Sequence, residues 1–286
     1  MRPFVEKLNF AERNSFYAGT HNTPYFEVSW HQHEEMEIIL FKEGYGTAFI
    51  GNYVGDFQKG DIFFLGPALP HTFQKANKDL YTSAVVIHFQ ENFWGKSFMS
   101  LPECQSLKEL FQASLHGLKI GGSSKQLLYD NINSLENTTG LLRIIQLAES
   151  LRLMEENKEN EMLSSHELKE FNSYNKERID TIYEYTVKHF FELITLEKVA
   201  GIASMSVPAF CNYFKKSTRK TYIEFLTEVR IHNACKLLAD TEKCITDICY
   251  CSGFNTLANF NRQFHKVKQI TPSHYRKKFR NNSVIL

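Results

Sequence analysis

The chain has 286 residues, of which 43% are hydrophobic and 14% aromatic, and a formal net charge of +1. Such a composition argues for a globular protein with room for two domains, each with its own core. No run approaches the roughly eighteen apolar residues of a membrane span, and the start MRPFVEKLNF lacks the apolar stretch of a signal peptide, so the sequence predicts a cytoplasmic protein.

The small net charge hides an asymmetry. Residues 176–286 carry 18 Lys and Arg against 10 Asp and Glu, whereas residues 1–175 carry 15 against 22. The last third is therefore the electrostatic partner for a polyanion. Of six cysteines, Cys211, Cys235, Cys244, Cys249 and Cys251 fall in that third, at positions that read as small core residues, and Cys249 and Cys251 form no metal-binding spacing.

From Phe26 to about residue 90 the chain shows short β-branched and aromatic runs punctuated by Gly44, Gly46, Gly51, Gly55, Gly60 and Gly66. This pattern predicts an antiparallel all-β sandwich or barrel. After Phe89 the period changes to that of helices, with Leu141, Ile144, Ile145, Ala148, Leu151 and Leu153 forming the strongest apolar stripe. Residues 156–175 are polar without a sustained apolar period and read as a linker. Seven helices are expected from there to the end, the first over Arg178 to Phe190 with Ile179, Ile182, Tyr183, Thr186 and Val187 inward.

The helical part contains a repeat. Leu196, Val199, Ala200 and Met205 recur 49 residues later as Ile245, Ile248, Cys249 and Phe254. Beyond the turn the offset becomes 50, and Phe210, Phe214, Lys216 and Thr221 match Phe260, Phe264, Lys266 and Thr271. Each copy reads as a helix, a tight turn and a second helix, with a continuous helix from about Tyr222 to Ala239 between the copies. One such hairpin alone could be a solvated helical pair. Two copies with basic outer faces predict a DNA-reading surface. The residues on those faces are Pro208, Ala209, Asn212, Lys215 and Lys216 in the first copy, and Ala258, Asn259, Asn261, Arg262 and Lys266 in the second. Lys215, Lys216, Arg219 and Lys220, then Arg276, Lys277, Lys278 and Arg280, form basic clusters at corresponding points, suited to phosphate contact.

Ile245, Gly253, Phe254, Phe260, Arg262, Phe264, Lys266, Thr271, Pro272, Tyr275 and Arg276 resemble the signature of the AraC/XylS transcription regulators over about the last hundred residues. The sequence departs from that family at Cys249, usually alanine, and His265, usually basic. In the β region His31, His33 and Glu37, then Gly44, Gly60, Asp61, Pro67, Pro70 and His71, resemble the two motifs of the cupin barrel. The second motif departs, with Ala68 and Leu69 before Pro70 where metal cupins have one residue and a glycine.

The combined resemblance implies two domains. Residues 1–155 would be an all-β cupin (jelly-roll) barrel with flanking helices, for ligand sensing and dimerisation; 156–175 a linker; and 176–286 an all-α domain with two tandem helix-turn-helix motifs. It implies a sequence-specific regulator that binds double-stranded promoter DNA, responds to a small-molecule effector such as a sugar, works with RNA polymerase and forms a homodimer. His31, His33, Glu37 and His71 would then be ligand-binding residues, beside aromatic walls such as Trp30, Phe64 and Phe73. They also match the ligand types of metal cupins, but AraC-like sensors carry similar histidines without metal, so the expectation is no metal, no cofactor and no catalysis. The cluster could hold an organic ligand or be a structural hydrogen-bonded group. The apolar stripe could pair two protomers or pack on the barrel. The rival readings are a metal-dependent cupin enzyme with a helical extension and a nonspecific nucleic-acid binder.

Overall fold

Alternating apolar residues broken by glycines make the strands of the first half, in a computed structural model that describes residues 4–5, 15–23, 30–76, 79–95, 97–164 and 173–281. The strands are β1 (Phe4–Val5), β2 (Tyr17–Asn22), β3 (His31–Gln32), β4 (Met36–Glu43), β5 (Tyr45–Ile50), β6 (Tyr53–Gln58), β7 (Ile62–Leu65), β8 (His71–Lys75), β9 (Ser83–Phe89), β10 (Leu118–Lys119) and β11 (Glu161–Met162). They form a five-stranded sheet in the order β1-β3-β8-β5-β6 and a six-stranded sheet in the order β11-β10-β7-β4-β9-β2. Most of the strand expected from Phe26 lies outside the described residues.

Both faces of the six-stranded sheet are covered, which explains why runs such as IFFL show no alternation. On β4, Met36, Ile38 and Leu40 point to one side and pack with Leu110, Phe111, Leu128, Ile132, Leu147, Leu151 and Met154 of helices α1 (Gln105–Ser114), α2 (Lys125–Leu135) and α3 (Gly140–Glu156). Ile39 and Phe41 point to the other side and meet Ala48, Ile50, Phe57 and Phe73 of the facing sheet. Phe64 belongs to the helix side, with its ring 6.1 Å from Phe111, and so cannot line the barrel interior as expected; Phe63 and Phe73 do, 5.3 Å apart. Phe64→Ala would open a cavity in that core at a cost of about 3 to 5 kcal/mol.

The expected α3 stripe divides between two faces. Leu147, Leu151, Leu153 and Met154 are buried, whereas Leu141 and Ile145 are exposed, together with Leu142. The polar segment after α3 also departs from a plain linker. Strand β11 pairs with β10, the Leu163 amide donates to the Gly117 carbonyl and the Ser164 amide to the His116 carbonyl. Backbone pairing needs no apolar side chain, and both β11 residues are exposed, so apolar periodicity carries no trace of the strand. Of the remaining linker residues, 165–172 lie outside the described residues, and 173–175 are already helical, not linker, at the start of the next helix.

The second compact unit, in the main residues 171–286, contains α4 (Ser173–His189), α5 (Leu196–Ile202), α6 (Val207–Thr218), α7 (Tyr222–Asp240), α8 (Ile245–Cys251), α9 (Leu257–Lys268) and α10 (Pro272–Asn281). Seven helices are thus present among the described residues, as the sequence predicts. The rings of Tyr183, Phe210, Phe214, Tyr222 and Phe225 fill the first copy of the repeat. Ile248, Cys249, Phe254, Phe260, Phe264 and Tyr275 fill the second. Helix α7 gives Phe225 to the first core and Ile231, Ala234, Cys235 and Leu238 to the second, which ties the copies together.

The repeat extends to backbone detail. Arg219 and Gln269 end α6 and α9 in the left-handed conformation, with φ of 59° and 58°. The Met205 amide donates to the Ala200 carbonyl and the Phe254 amide to the Cys249 carbonyl, the six-to-one bond of a Schellman turn. Not all the cysteines are core residues: Cys235 and Cys249 are buried, but Cys211, Cys244 and Cys251 are exposed. Cys244 caps α8, its sulfur accepting from the Asp247 amide, a polar task that apolar patterning does not reveal. No helix among the described residues is long and apolar enough to cross a membrane.

Candidate functional sites

Sheet register gathers one group of residues at an end of the barrel core. Glu37 of β4 lies opposite His88 of β9, and His88 lies opposite Tyr17 of β2, so one row crosses three strands. On the facing sheet His31 of β3 lies opposite His71 of β8. His33 follows β3 directly. The structure thus brings His31, His33, Glu37 and His71 together, and adds His88; all five are between 1% and 6% exposed.

Glu37 is the hub. Its Oε2 is 3.2 Å from His33 Nε2 and 2.8 Å from His71 Nε2, and its Oε1 is 3.2 Å from His88 Nε2. Burial would raise the Glu37 pKa, but the charges of His71 and His88, with hydrogen bonds from His33 and His71, hold it well below the ordinary carboxylate range. Burial works in the opposite sense on His33, yet its bond to Glu37 and the nearby carboxylates push its pKa up. The Tyr17 ring stacks against His88, with centroids 5.9 Å apart. Trp30 is also buried.

His88 is the residue that motif spacing misses. In the packed sheet Val85, Ile87 and Phe89 of β9 face the helices, which puts His88 on the inward parity with Ala84 and Val86. A histidine at an inward position of an apolar strand needs a polar partner.

The second candidate site is the pair of outer helix faces. On α6, Phe210 and Phe214 are fully buried and Pro208, Ala209, Asn212, Lys215 and Lys216 are exposed. On α9, Phe260 and Phe264 are buried; Ala258, Asn261, Arg262, His265 and Lys266 are exposed and Asn259 is half-buried. Arg262 Nη2 donates to Asn259 Oδ1 at 3.0 Å, which holds the guanidinium across the helix face. The N-terminus of each helix is the positive end of its dipole, which is favourable for phosphate.

The two basic clusters are less uniform. Lys220 pairs with Glu228 at 2.8 Å, and Arg276 donates to the Lys243 carbonyl at 2.6 Å, so Arg276 holds α10 to the α7–α8 connection. Lys277 and Lys278 line an open groove with Thr271, Ser273 and His274. The Arg280 side chain lies outside the described residues.

Comparisons with known proteins cover both units. Residues 14–171 match the family described as AraC-like ligand binding domain, and residues 199–278 match the family described as helix-turn-helix domain. An uncharacterized HTH-type transcriptional regulator, YdeC of Bacillus subtilis, is 24% identical over 265 residues, covering 87% of this chain and 86% of its own. The HTH-type transcriptional activator RhaS of Mannheimia succiniciproducens is 26% identical over 251 residues, covering 86% and 88%. Among solved structures, ToxT of Vibrio cholerae is similar at 13% identity with a TM-score of 0.37, over 92% of this chain and 98% of that one.

Proposed function

The chain belongs to the AraC family of DNA-binding transcription regulators with a ligand-binding domain, and we propose that α6 and α9 read promoter DNA while the histidine cluster receives the effector. The observation that carries this reading is the repeat itself: two helices of matched sequence present polar and basic faces outward at equivalent positions. Asn212 and Arg262 occupy the same place in the two copies and are the base-reading residues, with Pro208, Ala209, Ala258, Asn259 and Asn261 shaping the contact. Lys215, Lys216 and Lys266 contact phosphates.

His31, His33, Glu37 and His71 form the sensing site, joined by His88, and the protein acts without catalysis. The sensing domain extends through Ser164, since the pairing of β10 with β11 holds that segment to the barrel. The regulator works in the cytoplasm, where promoter DNA is. RNA polymerase is a further partner, a role suited to a chain related to a named transcriptional activator. Leu141, Leu142 and Ile145 are the surface on which two protomers pair.

The test is footprinting of DNA fragments recovered with the protein, with and without candidate effectors. His71→Ala should abolish the effector response while DNA affinity stays within about threefold, because the reading helices have cores of their own. Loss of DNA binding by a folded His71→Ala protein would overturn the sensing role. An enzyme would instead show turnover in the absence of DNA.

A further inference from the structure

The chain leaves the barrel through a buried anchor. Both residues of β11 are exposed, yet Ser164, two residues on, is 2% exposed. Its amide donates to the His116 carbonyl at 2.8 Å, its carbonyl accepts from His116 Nδ1 at 2.9 Å, and its hydroxyl donates to Asn52 Oδ1 at 2.8 Å. Asn52, in the turn between β5 and β6, is also 2% exposed. Just ahead, the Leu163 amide donates to the Gly117 carbonyl at 2.9 Å and Leu163 packs on the barrel core. Buried polar bonds that share their members, at the end of a two-residue edge strand, open or close together.

This anchor lies one strand away from the histidine cluster. Ile50 of β5 is opposite His71 of β8, and the Gly51 amide donates to the Pro70 carbonyl at 2.8 Å. A Cβ on Gly51 would come within 2.7 Å of the Ser164 hydroxyl and 3.4 Å of Leu69 Cδ1. On the other side, His71 Nδ1 donates to the Leu69 carbonyl at 2.8 Å while Nε2 is 2.8 Å from Glu37 Oε2. The stretch 69–71 therefore touches the cluster through one ring and the anchor through Gly51. The His71 ring cannot turn without giving up its bond to Leu69.

We propose that Ser164, held by Asn52 and His116, is a latch that sets where the chain leaves the barrel, and that His71 controls it through Leu69, Pro70 and Gly51. With the latch closed, the tether to the helical unit begins after Ser164. With it open, residues 161–164 join the tether, and Asn160, whose side chain donates to the Met154 carbonyl at 2.7 Å, becomes the last fixed point. Four residues add up to about 13 Å of reach. A ligand that prefers one position of the His71 ring shifts the proportion of the two tether lengths, with no rigid lever between the units. This route rests on the sensing role proposed above for His71 and supplies the way its state leaves the barrel.

Hydrogen exchange of the full-length chain, without DNA or effector, tests the latch at the Leu163 and Ser164 amides. Ser164→Ala and His71→Ala should each speed both amides about tenfold or more. The Ile120 amide, which donates to the Ile62 carbonyl at 2.9 Å on the β7 side of β10, should stay within about twofold. Unchanged exchange in Ser164→Ala overturns the anchor, and equal acceleration at Ile120 overturns it too, because the whole barrel then loosens. Ser164→Ala should also shift transcription from a promoter recovered with the protein by about threefold or more at equal protein level; a purely structural serine gives no shift, and that result overturns the regulatory role. An effector response lost in His71→Ala with Leu163 and Ser164 exchanging as in the wild type refutes the latch and leaves the sensing role standing.

Discussion

Ser204 and Gly253 hold the same left-handed turn position in the two helix-turn-helix copies, with φ of 54° and 82°. Only the second is a glycine. A Cβ on Gly253 would come within 2.5 Å of the Phe190 carbonyl oxygen and 2.8 Å of Arg230 Nε, which itself donates to that carbonyl. Gly253→Ala should therefore destabilise the helical domain by about 2 kcal/mol or more, from the left-handed backbone and the clash together. Ser204→Gly should stabilise it by up to about 1 kcal/mol, because glycine enters that conformation without steric cost. Denaturant melts of both variants check the pair, and equal responses would contradict the assigned conformations.

Arg262→Ala should cost roughly 1 to 3 kcal/mol on a specific site and relax the preference at one base position. Lys216→Ala should weaken binding about equally on all sequences and lower the salt dependence by about one counterion. Titrations of specific and scrambled fragments at two salt concentrations separate the two effects. Asn259→Ala, which frees the Arg262 guanidinium, should fall in the same class as Arg262→Ala with a smaller loss.

The two faces of α3 give opposite expectations for one kind of substitution. Ile145→Asp, at a residue 53% exposed, should give a folded monomer, whereas Leu147→Asp, at a residue with no exposure, should unfold the sensing domain. Sedimentation together with circular dichroism distinguishes these outcomes. A dimer that survives Ile145→Asp and Leu141→Asp would remove α3 as the pairing surface.

Helix α7 begins with a reciprocal cap. The Thr221 amide and hydroxyl donate to Glu224 Oε2 at 2.8 and 2.9 Å, and the Glu224 amide donates to the Thr221 hydroxyl. The backbone bond, then the hydroxyl bond, hold the Glu224 carboxyl below its ordinary 4.5. A depressed carboxylate contributes stability above its ordinary pKa and loses it as pH falls through the folded value. Thr221→Ala should thus cost about 1 kcal/mol at neutral pH, and the gap from wild type should narrow in acid. Thermal melts on both sides of that range test the sign.

Much of this architecture was legible because each copy of the repeat carries its own constraints. Phe210 and Phe214 predict the inner face of α6, and Phe260 and Phe264 that of α9, since a four-residue spacing admits one buried side. The barrel was harder. In IFFL every residue is buried, so parity is invisible and Phe64 reads as a wall of the barrel although it faces the helices. His88 was lost in the same way inside an apolar strand. Helix α3 carries apolar residues on two sides, one inward and one outward, which a single stripe cannot represent. Glu161 and Met162 pair through the backbone alone, and no side-chain pattern marks them.

The two copies are matched in shape but not in chemistry. Where Asn259 braces Arg262 in the second, Ala209 stands beside Asn212 in the first. With α6 and α9 reading DNA as proposed, one protomer has a heading along the double helix: an uncharged amide at one end, a braced cation at the other. Turning a half-site end for end in its promoter keeps every base pair yet exchanges what each helix meets. A regulator built this way distinguishes upstream from downstream before any partner joins it, and repeats of its site in direct and in inverted order are different addresses.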